Sequence, residues 1–121
     1  MHNNTEGAYS IKTYLPGNEK EKNAKAVYRN QLQDIDDLVL STDSLLYQKM
    51  ADNGFNSIWQ DNTKAERDGS LSIFCGDRNK RYINIETQHG KLAQYLQMLQ
   101  KLISILKEEN KEIPEKSGYS P

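Results

Sequence analysis

The strongest pattern in this chain lies in its last third, where apolar residues recur at intervals of four and three. Leu92, Leu96, Leu99, Ile103, Leu106, Asn110 and Ile113 alternate those two steps, with Asn110 the one polar member. On an α-helix this spacing draws a narrow stripe along one side, and such a stripe needs a surface to cover it. The pattern predicts a long amphipathic helix over 88–113, capped by Thr87 and stopped by Pro114. Leu96, Ile103 and Asn110 take the a positions of a heptad, and Leu92, Leu99, Leu106 and Ile113 the d positions. Tyr95, Met98, Leu102 and Ile105 lie beside that seam and widen the apolar face. A wide face suits a helix packed on its own chain's core, whereas a seam between two helices stays narrow. The sequence therefore supports two uses of one helix: part of it packs inward, and part of it docks a partner.

Upstream, the period changes. Leu71, Ile73 and Cys75 alternate with Ser70, Ser72 and Phe74; beyond Gly76–Lys80, Tyr82, Asn84 and Glu86 alternate with Ile83 and Ile85. Two such runs around a short Gly- and Asn-bearing turn predict a β-hairpin over 70–86. Residues 18–53 carry helical spacing at Ala24, Val27, Tyr28, Leu32, Ile35, Leu38 and Val39, predicting one or two N-terminal helices. Ser41-Thr42-Asp43-Ser44 is a run of capping side chains that compete with helix backbone, so a break or kink is expected there. Asn53-Gly54 should close the segment, with Gly54 in the left-handed position. Tyr9, Ile11, Thr13 and Leu15 alternate and suggest a third strand over 8–15, ended by Pro16-Gly17. Phe55, Ile58 and Trp59 are spaced for a short helical turn, and 61–69 reads as a polar surface loop. The expected fold is α+β, a helix-dominated small domain over 8–113 with flexible ends at 1–7 and 114–121.

Composition sharpens this picture modestly. The chain has 121 residues, 36% of them apolar, against roughly 45–50% in an ordinary globular domain. A formal charge of -1 puts no electrostatic strain on a folded state. These values imply a small core, one that a second chain could complete. Balanced charge supplies no global basic field for nucleic acid or anionic lipid. The longest apolar run, Leu38-Val39-Leu40, falls far short of the roughly 20 residues a bilayer span requires. The opening residues lack the basic and apolar regions of a secretory signal, and Cys75 is the sole cysteine. A reducing, cytoplasmic setting away from membranes is the expectation.

No spacing assembles a catalytic set. His2 and His89 have no sequence-local partner, and zinc needs several Cys or His ligands at close spacing. Cys75 has no indicated base and reads as a small buried strand residue. Asp34, Asp36 and Asp37 read as the solvated side of a helix. Gly-rich phosphate loops are missing from the sequence. The expectation is a non-enzymatic protein-binding module without cofactor or metal: a small regulator, inhibitor, immunity factor or assembly subunit. It would act through Leu92, Tyr95, Leu96, Leu99, Leu102, Ile103, Leu106 and Ile113, on a protein partner or on itself as a homodimer. The alternative is a nucleic-acid-associated accessory protein that contacts phosphates through Arg78, Lys80 and Arg81 and stacks a base on Tyr82.

Overall fold

The apolar triplet Leu38-Val39-Leu40 forms the centre of a β-sheet. In the computed structural model, which describes residues 2–4, 10–88 and 90–112 and the side chains of 10–87 and 90–110, five strands make one mixed sheet. They are β1 (His2–Asn4), β2 (Ala24–Tyr28), β3 (Leu38–Ser41), β4 (Asn56–Gln60) and β5 (Ile83–Gln88), in spatial order β1-β5-β3-β4-β2. β3 runs parallel to β4 and antiparallel to β5, while β2 closes on β4 antiparallel and β1 lies parallel beside β5. Three α-helices accompany them: α1 (Ser44–Asp52), α2 (Leu71–Asp77) and α3 (Leu92–Glu112). α1 is the crossover that two parallel neighbours such as β3 and β4 require.

Every residue of β3 is buried, which explains why its apolar residues run consecutively. A strand covered on both faces needs no polar alternation. Val39 packs with Leu46 and Met50 of α1, Phe55, Ile85, and Met98, Leu102 and Ile105 of α3. Leu38 and Leu40 point the other way, into a second cluster with Ile11, Tyr14 and Ile58. Directly paired residues share a sheet face. The register Leu38↔Asn56, Leu38↔Glu86 and Leu40↔Asn84 therefore sets Asn56, Asn84 and Glu86 on the second face, opposite α1 and α3.

Several expected elements are replaced, each for a local reason. Residues 18–53 are not one or two helices: a 3-10 turn (Glu21–Asn23), β2 and β3 precede α1. The capping run at 41–44 does interrupt the chain, by ending a strand. Asp43 becomes the N-cap of α1, its carboxylate accepting from the Leu46 amide at 2.9 Å. Gly54 closes that helix as expected, at φ +88°. Phe55, Ile58 and Trp59 belong to the approach and body of β4, not to a helical turn. In place of a strand over 8–15, Ile11–Tyr14 form a 3-10 turn capped by Ser10, burying Ile11 and Tyr14 three residues apart.

The hairpin over 70–86 does not form. Leu71–Asp77 is α2, so the alternation around Ile73 marks no strand; Ile73 is buried while Leu71 stays exposed. Cys75 accordingly sits half-buried on a helix. The Gln60 side chain donates to the Ser72 carbonyl and the Asn62 side chain to the Ile73 carbonyl, fastening α2 beyond the end of β4. Thr87 remains within β5, so the last helix starts at Leu92 and Thr87 does not cap it. Ile113, His89 and the ends 5–9 and 113–121 lie outside the described residues.

Gly76 marks a close approach. A β-carbon at this position would collide with the carboxamide of Asn62, which also bonds Gln60 and Asp77. Gly76→Ala is expected to destabilise the fold by about 1–3 kcal/mol, measured by urea denaturation. An open helical site would show the opposite sign, because alanine favours helix over glycine. A stabilised variant would mean that Asn62 swings aside without losing its bonds.

Candidate functional site

The heptad stripe of α3 turns out to lie on the flank of its buried face. Met98, Leu102 and Ile105 are the buried residues, and Tyr95, Leu99 and Leu106 are half-buried against the same cluster. About a third of a turn from that buried row, Leu92, Leu96 and Ile103 are 60%, 43% and 44% exposed. The predicted interface residues thus divide. Leu102 is committed to the core, Tyr95, Leu99 and Leu106 straddle the boundary, and Leu92, Leu96 and Ile103 face outward in a line.

Both ends of α3 are held by charge. Near its end, Arg81 donates from two nitrogens to the two carboxylate oxygens of Glu109, each at 2.9 Å, and reaches Asp43 at 3.2 Å. The paired bonds from Glu109 raise the Arg81 pKa further above its ordinary value, against a smaller opposing effect of burial. At its start, Lys91 bonds Asp37 at 2.7 Å and Asp34 at 3.2 Å. Burial disfavours the Lys91 charge, but the bonds to Asp37 and Asp34 outweigh it and raise its pKa. Asp36 and Asp37 are buried, which corrects their expected place on a solvated helix. Asp34 does carry an exposed carboxylate, held below its usual pKa chiefly by the Asp36 amide.

The residues expected to contact nucleic acid do not form one free basic patch. Arg81 is engaged as above, Arg78 lies 3.7 Å from the ring centre of Phe74, and Tyr82 packs against the second core cluster. Lys80 is exposed.

Sequence reasoning missed the groups on the second sheet face. Glu86 is only 9% exposed and accepts a 2.8 Å hydrogen bond from the Asn84 amide. Burial pushes its pKa up to about 7, with the charges of Lys20 and of the chain's amino terminus pulling the other way. Tyr82 is shifted up as well, by burial first and then by the charge of Glu86. The alternation of Ile83 and Ile85 against Asn84 and Glu86 did mark two faces, but only the fold shows that both are covered.

Among the described residues, no group of three His, Cys, Asp or Glu side chains is placed to hold a metal ion. No helix among them is long and apolar enough to cross a membrane. Comparison of the chain with protein-family models, curated proteins and solved structures finds no match.

Proposed function

We propose that this chain is a small non-catalytic protein-binding module, of the kind that serves as a regulator, inhibitor, immunity factor or assembly subunit. The observation that carries the reading is the outward line of Leu92, Leu96 and Ile103, left exposed beside a buried face that α3 has already filled. Its steps of four and seven keep the period of a helical partner. On the solvent side of this line, Ala93, Gln97, Gln100 and Ser104 carry no charge, so like meets like without repulsion from Leu92 to Ser104, up to Lys107 one turn past Ile103. A second copy of the chain is therefore the partner this flank fits, α3 against α3.

Light scattering tests it. The wild type is expected to dimerise as concentration rises, and Leu96→Asp and Ile103→Asp to remain monomeric with unchanged circular dichroism, since both side chains already face water. A wild type that stays monomeric throughout, or variants that dimerise equally well, would overturn the reading.

A further inference from the structure

β3 and β4 run parallel, and a cleft of about 380 Å³ opens beyond their carboxyl ends. Thr42, just past β3, and Gln60, the last residue of β4, line it together with Asn79, which follows α2. Sheets with parallel strands hold ligands outside those carboxyl ends, and the volume lies within the roughly 300–1,000 Å³ of small-molecule sites. Trp59, half-buried on β4, supplies an aromatic wall, with the Lys25 ammonium 4.6 Å from its ring centre. Charge in the lining is already answered within the chain: Lys25 acts electrostatically on Asp61, and Asp77 is paired with Arg67. The remaining polar groups are neutral. Gln60 spends its amide nitrogen on the Asn62 side chain and the Ser72 carbonyl, so it offers its oxygen as an acceptor. Thr63 donates its hydroxyl to Asp61 and keeps a lone pair for a second partner. Asn79 is exposed and carries both a donor and an acceptor.

We propose that this cleft binds a neutral sugar ring, its C–H face on Trp59 and its hydroxyls bonded to Gln60, Thr63 and Asn79. A sugar hydroxyl both donates and accepts, which matches a lining of carboxamide and hydroxyl groups. The C–H hydrogens are weakly positive and meet the negative face of the indole ring. Lys25 rests on that ring, but it is exposed, and such a contact is worth only about 0.5–1 kcal/mol. The sugar therefore displaces it, and the freed ammonium becomes a further donor to a hydroxyl oxygen.

The same ring can arrive as a free monosaccharide or as the end of a glycan, so the experiment uses both. Trp59 is the sole tryptophan, and its indole N–H gives one unambiguous NMR signal. That signal and the Asn79 side-chain amide would be followed in the full chain during titration with the methyl glycosides of glucose, galactose, mannose and N-acetylglucosamine. A second arm uses lactose, maltotriose and chitotriose, and glycerol and adenosine serve as controls. Saturable shifts at both groups are expected with at least one carbohydrate. Asn79→Gly, which keeps the left-handed backbone at φ 56°, and Trp59→Leu should each weaken binding about fivefold or more. Equal affinity for monosaccharide and oligosaccharide identifies a free sugar, and tighter binding of the oligosaccharide identifies a glycan. Absence of saturable shifts with every carbohydrate, equal shifts from glycerol, tighter binding of adenosine, or undiminished binding by either folded variant would each overturn the proposal. The readout is independent of the α3 flank, so dimerisation and sugar binding can fail separately.

Discussion

Replacing Asn56 with alanine is expected to remove about 3–5 kcal/mol of folding stability, among the largest effects of any single change in this chain. Asn56 is fully buried, and its side chain makes three hydrogen bonds to backbone. Its amide nitrogen donates to the Asp34 and Asp37 carbonyls, each at 3.0 Å, and its oxygen accepts from the Asn30 amide at 2.7 Å. These bonds fold the connection between β2 and β3 and deliver the chain into the central strand. Alanine would take this partner from the buried Asp37 carbonyl and from the half-buried Asn30 amide, each costing about 1–3 kcal/mol before relaxation, would leave the Asp34 carbonyl with the Asp37 amide alone, and would open a cavity where the carboxamide packed. Asn56→Asp should also be damaging, since it removes both donors and sets a carboxylate near the carbonyls. Urea denaturation would show a lowered midpoint with the slope unchanged. A loss below about 1 kcal/mol would mean that the connection is held by other contacts.

This connection also explains why so much of residues 18–53 was illegible. Leu32, Ile35, Leu38 and Val39 fall at helical spacing, and nothing local distinguishes that spacing from a loop followed by a buried strand. The deciding partners are remote: Asn56 lies 22 residues beyond Asp34, and Lys91 lies 54 beyond Asp37. The consecutive triplet Leu38-Val39-Leu40 was the available clue, being what a strand covered on both faces requires. The capping chemistry of Asp43 and the turn at Gly54 were legible because they are settled within a few residues of themselves. The hairpin failed for the converse reason. Alternation at Leu71, Ile73 and Cys75 was real, but seven residues also fit two turns of helix, and Gln60 and Asn62 reach over to fix the helical carbonyls.

For the candidate site, the sequence revealed the period of α3 but not its rotation about its own axis. Nine large apolar residues spread over a wide arc of α3, and either edge of that arc could have turned inward. The sheet chose Met98, Leu102 and Ile105, which left Leu92, Leu96 and Ile103 as the outer rim. Glu86 was invisible for a related reason. A glutamate alternating with isoleucines marks the wetter side of a strand, and its cover includes Tyr14 and Lys20, more than sixty positions earlier.

Glu86 should make stability fall as pH rises through the neutral range, and Glu86→Gln should abolish that fall. The buried carboxyl keeps its proton to about pH 7, whereas in the unfolded chain it releases it near the ordinary 4.5. Between those values the folded state binds more protons, so raising the pH favours unfolding. The contribution is intact below 4.5 and is lost as pH climbs through about 7; at 1.36 kcal/mol per pH unit of difference it amounts to about 3 kcal/mol. Asp34, whose pKa is lowered first by the Asp36 amide, acts in the opposite sense, its stabilisation being lost only as pH falls into the acidic range. The two effects therefore separate along the pH axis. Urea denaturation of wild type and Glu86→Gln between about pH 4.5 and 8.5 should give a stability difference that widens towards alkaline pH in favour of glutamine. A constant difference would place the carboxyl in contact with water.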